Sequence, residues 1–155
     1  MCIGIALDAR ILTETFLSRF GLRARMQSDL FNSPAELQFR YNDPIPQLPI
    51  QRGEGDAWEL VLWGNRDDPV SRLPRTGWAR EESVIAGKWR SLQPEPVLIP
   101  AQRGCEKGVW FPIKVGMQGL LVTDEHHNPH VFMLTREATP EYAALTKHDR
   151  MPIFV

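Results

Sequence analysis

The sequence predicts an α+β fold with a curved, mostly antiparallel β-sheet core and a few short helices, in a single domain spanning residues 1–155. Hydrophobic residues make up 43% of the chain and charged residues 24%, as in ordinary folded proteins. Thirteen of the 155 residues are prolines, which disfavour long helices and central strands. Short apolar runs separated by turn residues favour five to eight strands and about two helices.

The first half of the chain predicts strands at 2–7, 36–41 and 57–64. Asp8 is a suitable N-cap for a helix that continues to Phe20 and ends at Gly21. The apolar residues of that predicted helix share one face: Ile11, Leu12, Phe16, Leu17 and Phe20. Residues 44–50 are expected to form an extended, proline-rich connection, and residues 66–78 a long polar loop.

The second half predicts four short strands, at 96–101, 108–116, 119–124 and 130–135. Residues 124–129 are typical of a hairpin tip. Thr139 and Pro140 predict a helix start, with a side-chain cap and a proline at the first helical position. A last strand is expected at 150–155.

Charge and cysteine content exclude several classes of protein. The net charge of −1 is unlike that of a globally basic nucleic-acid binder. No apolar run is long enough for a membrane span, and no signal peptide is expected. Two cysteines are too few for a disulfide framework, so a reducing, cytoplasmic setting is expected. No metal or other cofactor is expected, since His126, His127 and His130 match no zinc spacing and are interpreted as exposed loop histidines.

Cys2 is the first candidate reactive residue. Removal of Met1 would give it a free α-amine, whose ordinary pKa of about 8 leaves part of it neutral and nucleophilic at pH 7. An amine and a thiol on one residue can capture an aldehyde as a thiazolidine ring. The alternative is a buried cysteine that only packs in the first strand.

Two further residues carry side chains suited to proton transfer. His148 follows the predicted Thr139 helix, and Glu106 follows an apolar strand. Histidine can shuttle protons near neutral pH, and a partly buried carboxyl group can act as acid or base. The alternatives are a helix-capping histidine and a solvated loop glutamate. Arg150 could hold a phosphate through two hydrogen bonds, and tryptophans interleave with basic residues over 63–90, as suits single-stranded nucleic acid.

In order along the chain, these segments resemble the SRAP (SOS response-associated peptidase) family. The chain opens with Met-Cys where the family has MCGRF. The other similar segments are RYNDPIP at 40–46 (family RYNVAPG), ELVLWG at 59–64 (PVFWG), LIPAQRGCEKG at 98–108 (LIPADGFYEWK) and KHDRMPIFV at 147–155 (IHDRMPVIL). The last is the most specific.

The resemblance implies a DNA-damage-response protein that removes its own Met1 and crosslinks abasic sites in single-stranded DNA through a thiazolidine at Cys2. It implies that Glu106 and His148 are catalytic, and that Arg150 binds phosphate with Trp63 near the stacked bases. Arg40 and Asn42, in the second segment, complete the expected DNA-binding set. Lys88 stands for the arginine of the family's NAR triplet, which aligns with residues 86–88.

The chain also departs from the family pattern. The basic side chain of MCGRF is missing at Gly4, the asparagine of the NAR triplet is missing, and Lys107 replaces the tryptophan of EWK. These departures suit a short, divergent, phage-borne member. Two alternatives stay open: a cysteine peptidase using Cys2 and His148, and a non-catalytic prophage remnant that keeps only the fold.

Overall fold

The computed structural model describes residues 2–23 and 36–155. Within them lie three short α-helices: α1 (Glu14–Arg19), α2 (Glu81–Ile85) and α3 (Pro140–Thr146). The strands are β1 (Gly4–Asp8), β2 (Glu36–Arg40), β3 (Gln47–Ile50), β4 (Glu59–Trp63), β5 (Trp78–Arg80), β6 (Glu95–Pro100), β7 (Arg103–Glu106), β8 (Val109–Pro112), β9 (Gly116–Thr123), β10 (Pro129–Glu137) and β11 (Arg150–Pro152). The protein is α+β and mostly β, as the sequence predicts.

The strands form two sheets. The first is antiparallel, in the order β2-β1-β7-β8. The second has the order β3-β4-β10-β9-β6, and its outer strands meet through hydrogen bonds of 2.9 and 3.0 Å between the backbones of Gln51 and Leu98. That contact nearly closes the second sheet into a barrel. The second sheet is mixed rather than antiparallel throughout, because β10 runs parallel to both β4 and β5.

One hydrophobic core is shared by both sheets and by α1 and α3. Strand β10 alternates between two buried surfaces: Val131 and Met133 point into this core, whereas Phe132 and Leu134 join a second cluster with Trp89. A strand covered on both faces is buried at successive residues, as β10 is from His130 to Thr135, which explains the apolar run there. Among the described helices, none has the length and apolar character that a membrane crossing requires.

Several predicted elements need correction. The expected helix from Asp8 to Phe20 is two elements, because Asp8 caps a 3₁₀ turn (Ala9–Ile11) and Thr13 separately caps α1. The side-chain oxygen of Thr13 accepts from the backbone N–H of Phe16 at 3.1 Å. Residues 47–50, expected to be a connection, form β3. A proline is tolerated there because β3 lies at a sheet margin.

Three elements have no counterpart in the sequence prediction, namely β5, β7 and α2. Other predictions are confirmed: the polar loop leads to β5, the hairpin tip joins β9 to β10, and Thr139 caps α3 with Pro140 in the first turn. Gly21 follows α1 with a φ of +62°.

Candidate functional site

Cys2 lies beside β7, just before β1 begins. Gly4 stands opposite Cys105 in the ladder, and the N–H of Ile3 donates to the carbonyl of Cys105 at 2.8 Å. The backbone of Cys2 is fixed from the other side by the indole N–H of Trp78, which donates to its carbonyl at 3.1 Å. Cys2 is 0% exposed, and its thiol donates to the carbonyl of Gly4 at 3.1 Å.

Glu106 is the last residue of β7 and is only 2% exposed. It pairs with Val109 across a two-residue turn, Lys107 and Gly108, whose φ angles of 48° and 79° are both positive. Such a tight turn fixes the direction in which the strand end points. Burial raises the pKa of Glu106, and neighbouring positive charges, among them His148 and Lys107, oppose that effect. The carboxyl group is therefore able to hold a proton closer to neutral pH than an exposed glutamate.

His148 lies between α3 and β11, and its side chain is 21% exposed. Lys147 caps the C-terminus of α3, and its carbonyl accepts from the ammonium group of Lys107 at 2.8 Å. That bond joins the Glu106 turn to the His148 segment. The Nδ1 atom of His148 lies 3.0 Å from the backbone nitrogen of Arg150 and 3.4 Å from the Asp149 carboxylate, so the ring is held by the first residues after α3.

Cys2, Glu106 and His148 therefore meet in one region, although they come from distant parts of the sequence. Glu106 interacts electrostatically with both of the others. Burial raises the pKa of the Cys2 thiol to about 12, and the nearby Glu106 adds to the increase. Cys105, also buried, is a free thiol like Cys2, as expected from the small number of cysteines. The catalytic roles of the three residues stay predictions.

Two of the predicted DNA-binding residues, Lys88 and Arg150, line one surface pocket together with Arg80. The Arg150 guanidinium already donates to both carboxylate oxygens of Glu82, at 3.1 and 3.0 Å, and to Thr135. A phosphate that binds Arg150 must compete with that carboxylate. Sequence reasoning counted Arg80 only as one basic residue among several, because its position beside Arg150 depends on the β5–β10 pairing.

Trp63 is only 1% exposed and its indole N–H donates to the carbonyl of Gly77 at 3.0 Å. It offers no free face on which a base could stack, and its expected place near the stacked bases stays a prediction. The half-buried residues Tyr41 and Trp78 both pack against Trp63. They also pack against each other, and their ring centroids are 4.6 Å apart.

Arg40 and Asn42 lie at the end of β2. The Arg40 guanidinium packs over the ring of Trp110, 5.4 Å from its centroid, and donates to Gln38 at 2.9 Å. Asn42 is exposed in the turn that follows. Both are placed on the surface, and their predicted contact with DNA stays a prediction.

His130 is buried, so its interpretation as an exposed loop histidine is wrong. Its Nδ1–H donates to the carbonyl of Gly64 at 2.8 Å, and its Nε2 lies 2.8 Å from the Asp124 carboxylate. These bonds attach the β9–β10 hairpin to the end of β4. His126 and His127 are exposed. Among residues 2–23 and 36–155, no group of metal-binding side chains converges.

The contact between Asp124 and His130 predicts a pH-dependent stability. Burial acts to raise the pKa of Asp124, but hydrogen bonds from His130 and from two backbone N–H groups outweigh it and lower the pKa from 3.8 to about 2. A carboxyl group whose pKa is lowered by folding stabilises the fold at pH values above its ordinary pKa. This stabilisation is lost as the pH falls through the pKa of the folded state. We expect Asp124→Asn to lower the free energy of unfolding by about 2 kcal/mol at pH 7 and by much less near pH 2.

Urea unfolding at the two pH values measures this difference. Asp67→Asn is the matched control, because Asp67 pairs with Arg66 on the surface and is 70% exposed, so it should change stability little. An equal loss for Asp124→Asn at both pH values would contradict the assignment.

Comparison with protein-family models, curated proteins and solved structures gave no match.

Proposed function

We propose that this chain is a DNA-damage-response protein of the SRAP type, in which Cys2, once Met1 has been removed, captures abasic sites in single-stranded DNA. The observation that carries the proposal is the meeting of Cys2, Glu106 and His148 in one region of the fold. An aminothiol is the group that closes a thiazolidine on an aldehyde, and a buried carboxyl group and a histidine can assist the proton transfers of that reaction. Met1 itself lies outside the described residues.

The proposed reaction has three steps. The α-amine of Cys2 adds to the aldehyde carbon of the ring-opened deoxyribose and gives a carbinolamine. Loss of water from the carbinolamine forms an imine. The sulfur then bonds to the imine carbon and the thiol proton passes to the nitrogen, so that the net change is one thiazolidine formed and one water released. No oxidant or cofactor is needed.

The side chains suit these steps. Glu106, with a raised pKa, can hold and return the proton that moves when water leaves and when the ring closes. His148, partly exposed, can carry protons for opening of the sugar ring and for reversal. Hydrolysis of the Met1–Cys2 bond, which would release the amine, consumes one water and uses the same neighbouring groups in an autopeptidase step.

The pKa of the Cys2 thiol weighs against the cysteine peptidase alternative. A peptidase attacks with a thiolate, whose fraction at neutral pH is very small when the thiol pKa is about 12. Thiazolidine formation begins instead with the amine, and the sulfur enters last. The two free cysteines also suit the reducing cytoplasm, where we place this activity.

The DNA strand would follow the cations and rings near this site. Arg80, Lys88 and Arg150 can pair with phosphates. Tyr41 and Trp78, rather than Trp63, can stack with bases. Arg40 and Asn42 would extend this surface.

The test uses protein that is verified by intact mass to begin at Cys2. It is incubated with a single-stranded oligonucleotide carrying one abasic site and run on a denaturing gel. We expect a slow-migrating covalent band with this strand and none with a matched strand that carries a tetrahydrofuran in place of the abasic sugar, because the tetrahydrofuran cannot open to an aldehyde. Absence of the band would favour the non-catalytic alternative, and an equal band with tetrahydrofuran would exclude aldehyde capture.

A further inference from the structure

Tyr142 buries a hydroxyl group that has no hydrogen-bond partner among the described residues. The residue lies in α3 and is 6% exposed, with its ring packed edge-on against Phe111 at a centroid distance of 5.4 Å. A buried hydroxyl without a partner destabilises the fold, and native proteins contain few of them. The group therefore needs an explanation other than stability.

The ring of Tyr142 packs beside the strands that carry the candidate residues. Phe111 stands opposite Gly104 in the β7–β8 ladder, one residue before Cys105. Tyr142 belongs to the same core cluster as Cys2. Burial raises the pKa of Tyr142, and the neighbouring Cys2 and Glu106 raise it further, so the hydroxyl keeps its proton at neutral pH and acts as a donor.

We propose that the Tyr142 hydroxyl donates a hydrogen bond to the aldehyde oxygen of the substrate while the Cys2 amine attacks the carbonyl carbon. This inference rests on the proposed function and adds the group that recognises the reacting oxygen. As the C–N bond forms, the carbonyl π electrons move onto that oxygen, and a preorganised donor stabilises the charge that develops there. The neighbouring Cys2 thiol is less suited to this role, because it donates to Gly4 and its sulfur is needed for ring closure.

The first measurement is thermal stability. Tyr142→Phe removes only the hydroxyl and keeps the ring on Phe111, so we expect Tm to rise by about 3 °C. Thr146→Val is the matched control, because it removes a buried hydroxyl on the same helix that does have a partner, the carbonyl of Tyr142 at 2.8 Å. We expect that control to lower Tm. A fall in Tm for Tyr142→Phe would mean that the hydroxyl has a structural partner and would overturn the proposal.

The second measurement is the rate of aldehyde capture by protein that begins at Cys2. Two probes are used: glycolaldehyde, followed by intact mass, and the abasic single strand, followed on a gel. We expect Tyr142→Phe to react about 100-fold more slowly than the wild type with both probes, and Thr146→Val to stay close to the wild type. A peptide with an N-terminal cysteine is the reference, because it carries the aminothiol without the rest of the site and so gives the rate of uncatalysed aldehyde capture.

The two probes separate failure of this inference from failure of the proposed function. If the wild type captures abasic DNA and Tyr142→Phe does so equally fast, the hydroxyl is not the donor and only the inference falls. If the wild type fails with DNA yet reacts with glycolaldehyde in a Tyr142-dependent way, the proposed function falls and the donor role stands. If the wild type reacts with glycolaldehyde no faster than the peptide, the inference falls as well.

Discussion

Replacing Cys2 with serine is expected to lower the yield of heat-stable DNA adduct by at least about 100-fold. Serine keeps the α-amine, so the imine with the sugar aldehyde still forms. Its hydroxyl is a much weaker nucleophile than the thiol, and without ring closure the imine hydrolyses during denaturation. Borohydride added before denaturation should restore the band, because it reduces the imine to a stable amine.

Cys105→Ser is the control for this substitution. Cys105 is the other buried thiol, and it lies opposite Gly4 on the neighbouring strand. It has no free amine on the same residue, so its replacement should leave the adduct yield unchanged in protein that is still folded. An undiminished band with Cys2→Ser would show that sulfur does not complete the linkage. A loss of the band with both variants would indicate that replacing either buried thiol disturbs the fold.

The elements next to Cys2 and His148 could be predicted because their signals are local. The apolar run at 2–7 indicates the first strand, and the Thr139 cap with Pro140 indicates the helix before His148. Side-chain caps also explain the error at Asp8. That residue does cap a turn, but Thr13 caps again a few residues later, and two caps so close together produce two short elements.

What brings the candidate residues together could not be predicted, because it depends on long-range pairing. Strand β7 has the sequence Arg-Gly-Cys-Glu, which offers little alternation, and it becomes a strand by pairing with β1 and β8. The electrostatic contact of Cys2 with Glu106 follows from that pairing. Burial of Trp63 and His130 likewise depends on tertiary contacts with Gly77, Gly64 and Asp124.

The resemblance to a family supplied roles that geometry alone does not assign. It also directed attention to Trp63, whereas the structure leaves Tyr41 and Trp78 partly open. Tyr142 shows the opposite case. No sequence pattern distinguishes it from an ordinary core residue of an amphipathic helix, and only its unpartnered hydroxyl marks it.

Gly64→Ala is expected to lower the free energy of unfolding by about 4 kcal/mol or more, the largest stability effect that we predict. Gly64 follows β4 with a φ of +59°, in the left-handed region that favours glycine. An added Cβ would lie 2.2 Å from the carbonyl oxygen of Thr76 and 2.5 Å from the Cα of Gly77. Because both atoms belong to the backbone, no side-chain rotation can relieve the clash.

The backbone of Gly64 also hydrogen-bonds to neighbouring strands, so a shift of this residue would disturb those strands. Its N–H donates to Val131 at 2.8 Å and its carbonyl accepts from His130 at 2.8 Å. Moving the chain at Gly77 would disturb the indole hydrogen bond of Trp63. These contacts join β4, β10 and the loop before β5. The first residue of β5 is Trp78, whose indole N–H donates to the carbonyl of Cys2.

Gly55→Ala separates backbone strain from the clash. Gly55 has a φ of +82° and no atom within 4 Å of an added Cβ, so its replacement should destabilise by only about 1 kcal/mol. Urea unfolding of the two variants gives the comparison. Equal losses would mean that the close approach at Thr76 relaxes easily. A much larger loss at Gly64 would show that the two backbones cross here without room to relax, in the loop that leads to Trp78 and its hydrogen bond to Cys2.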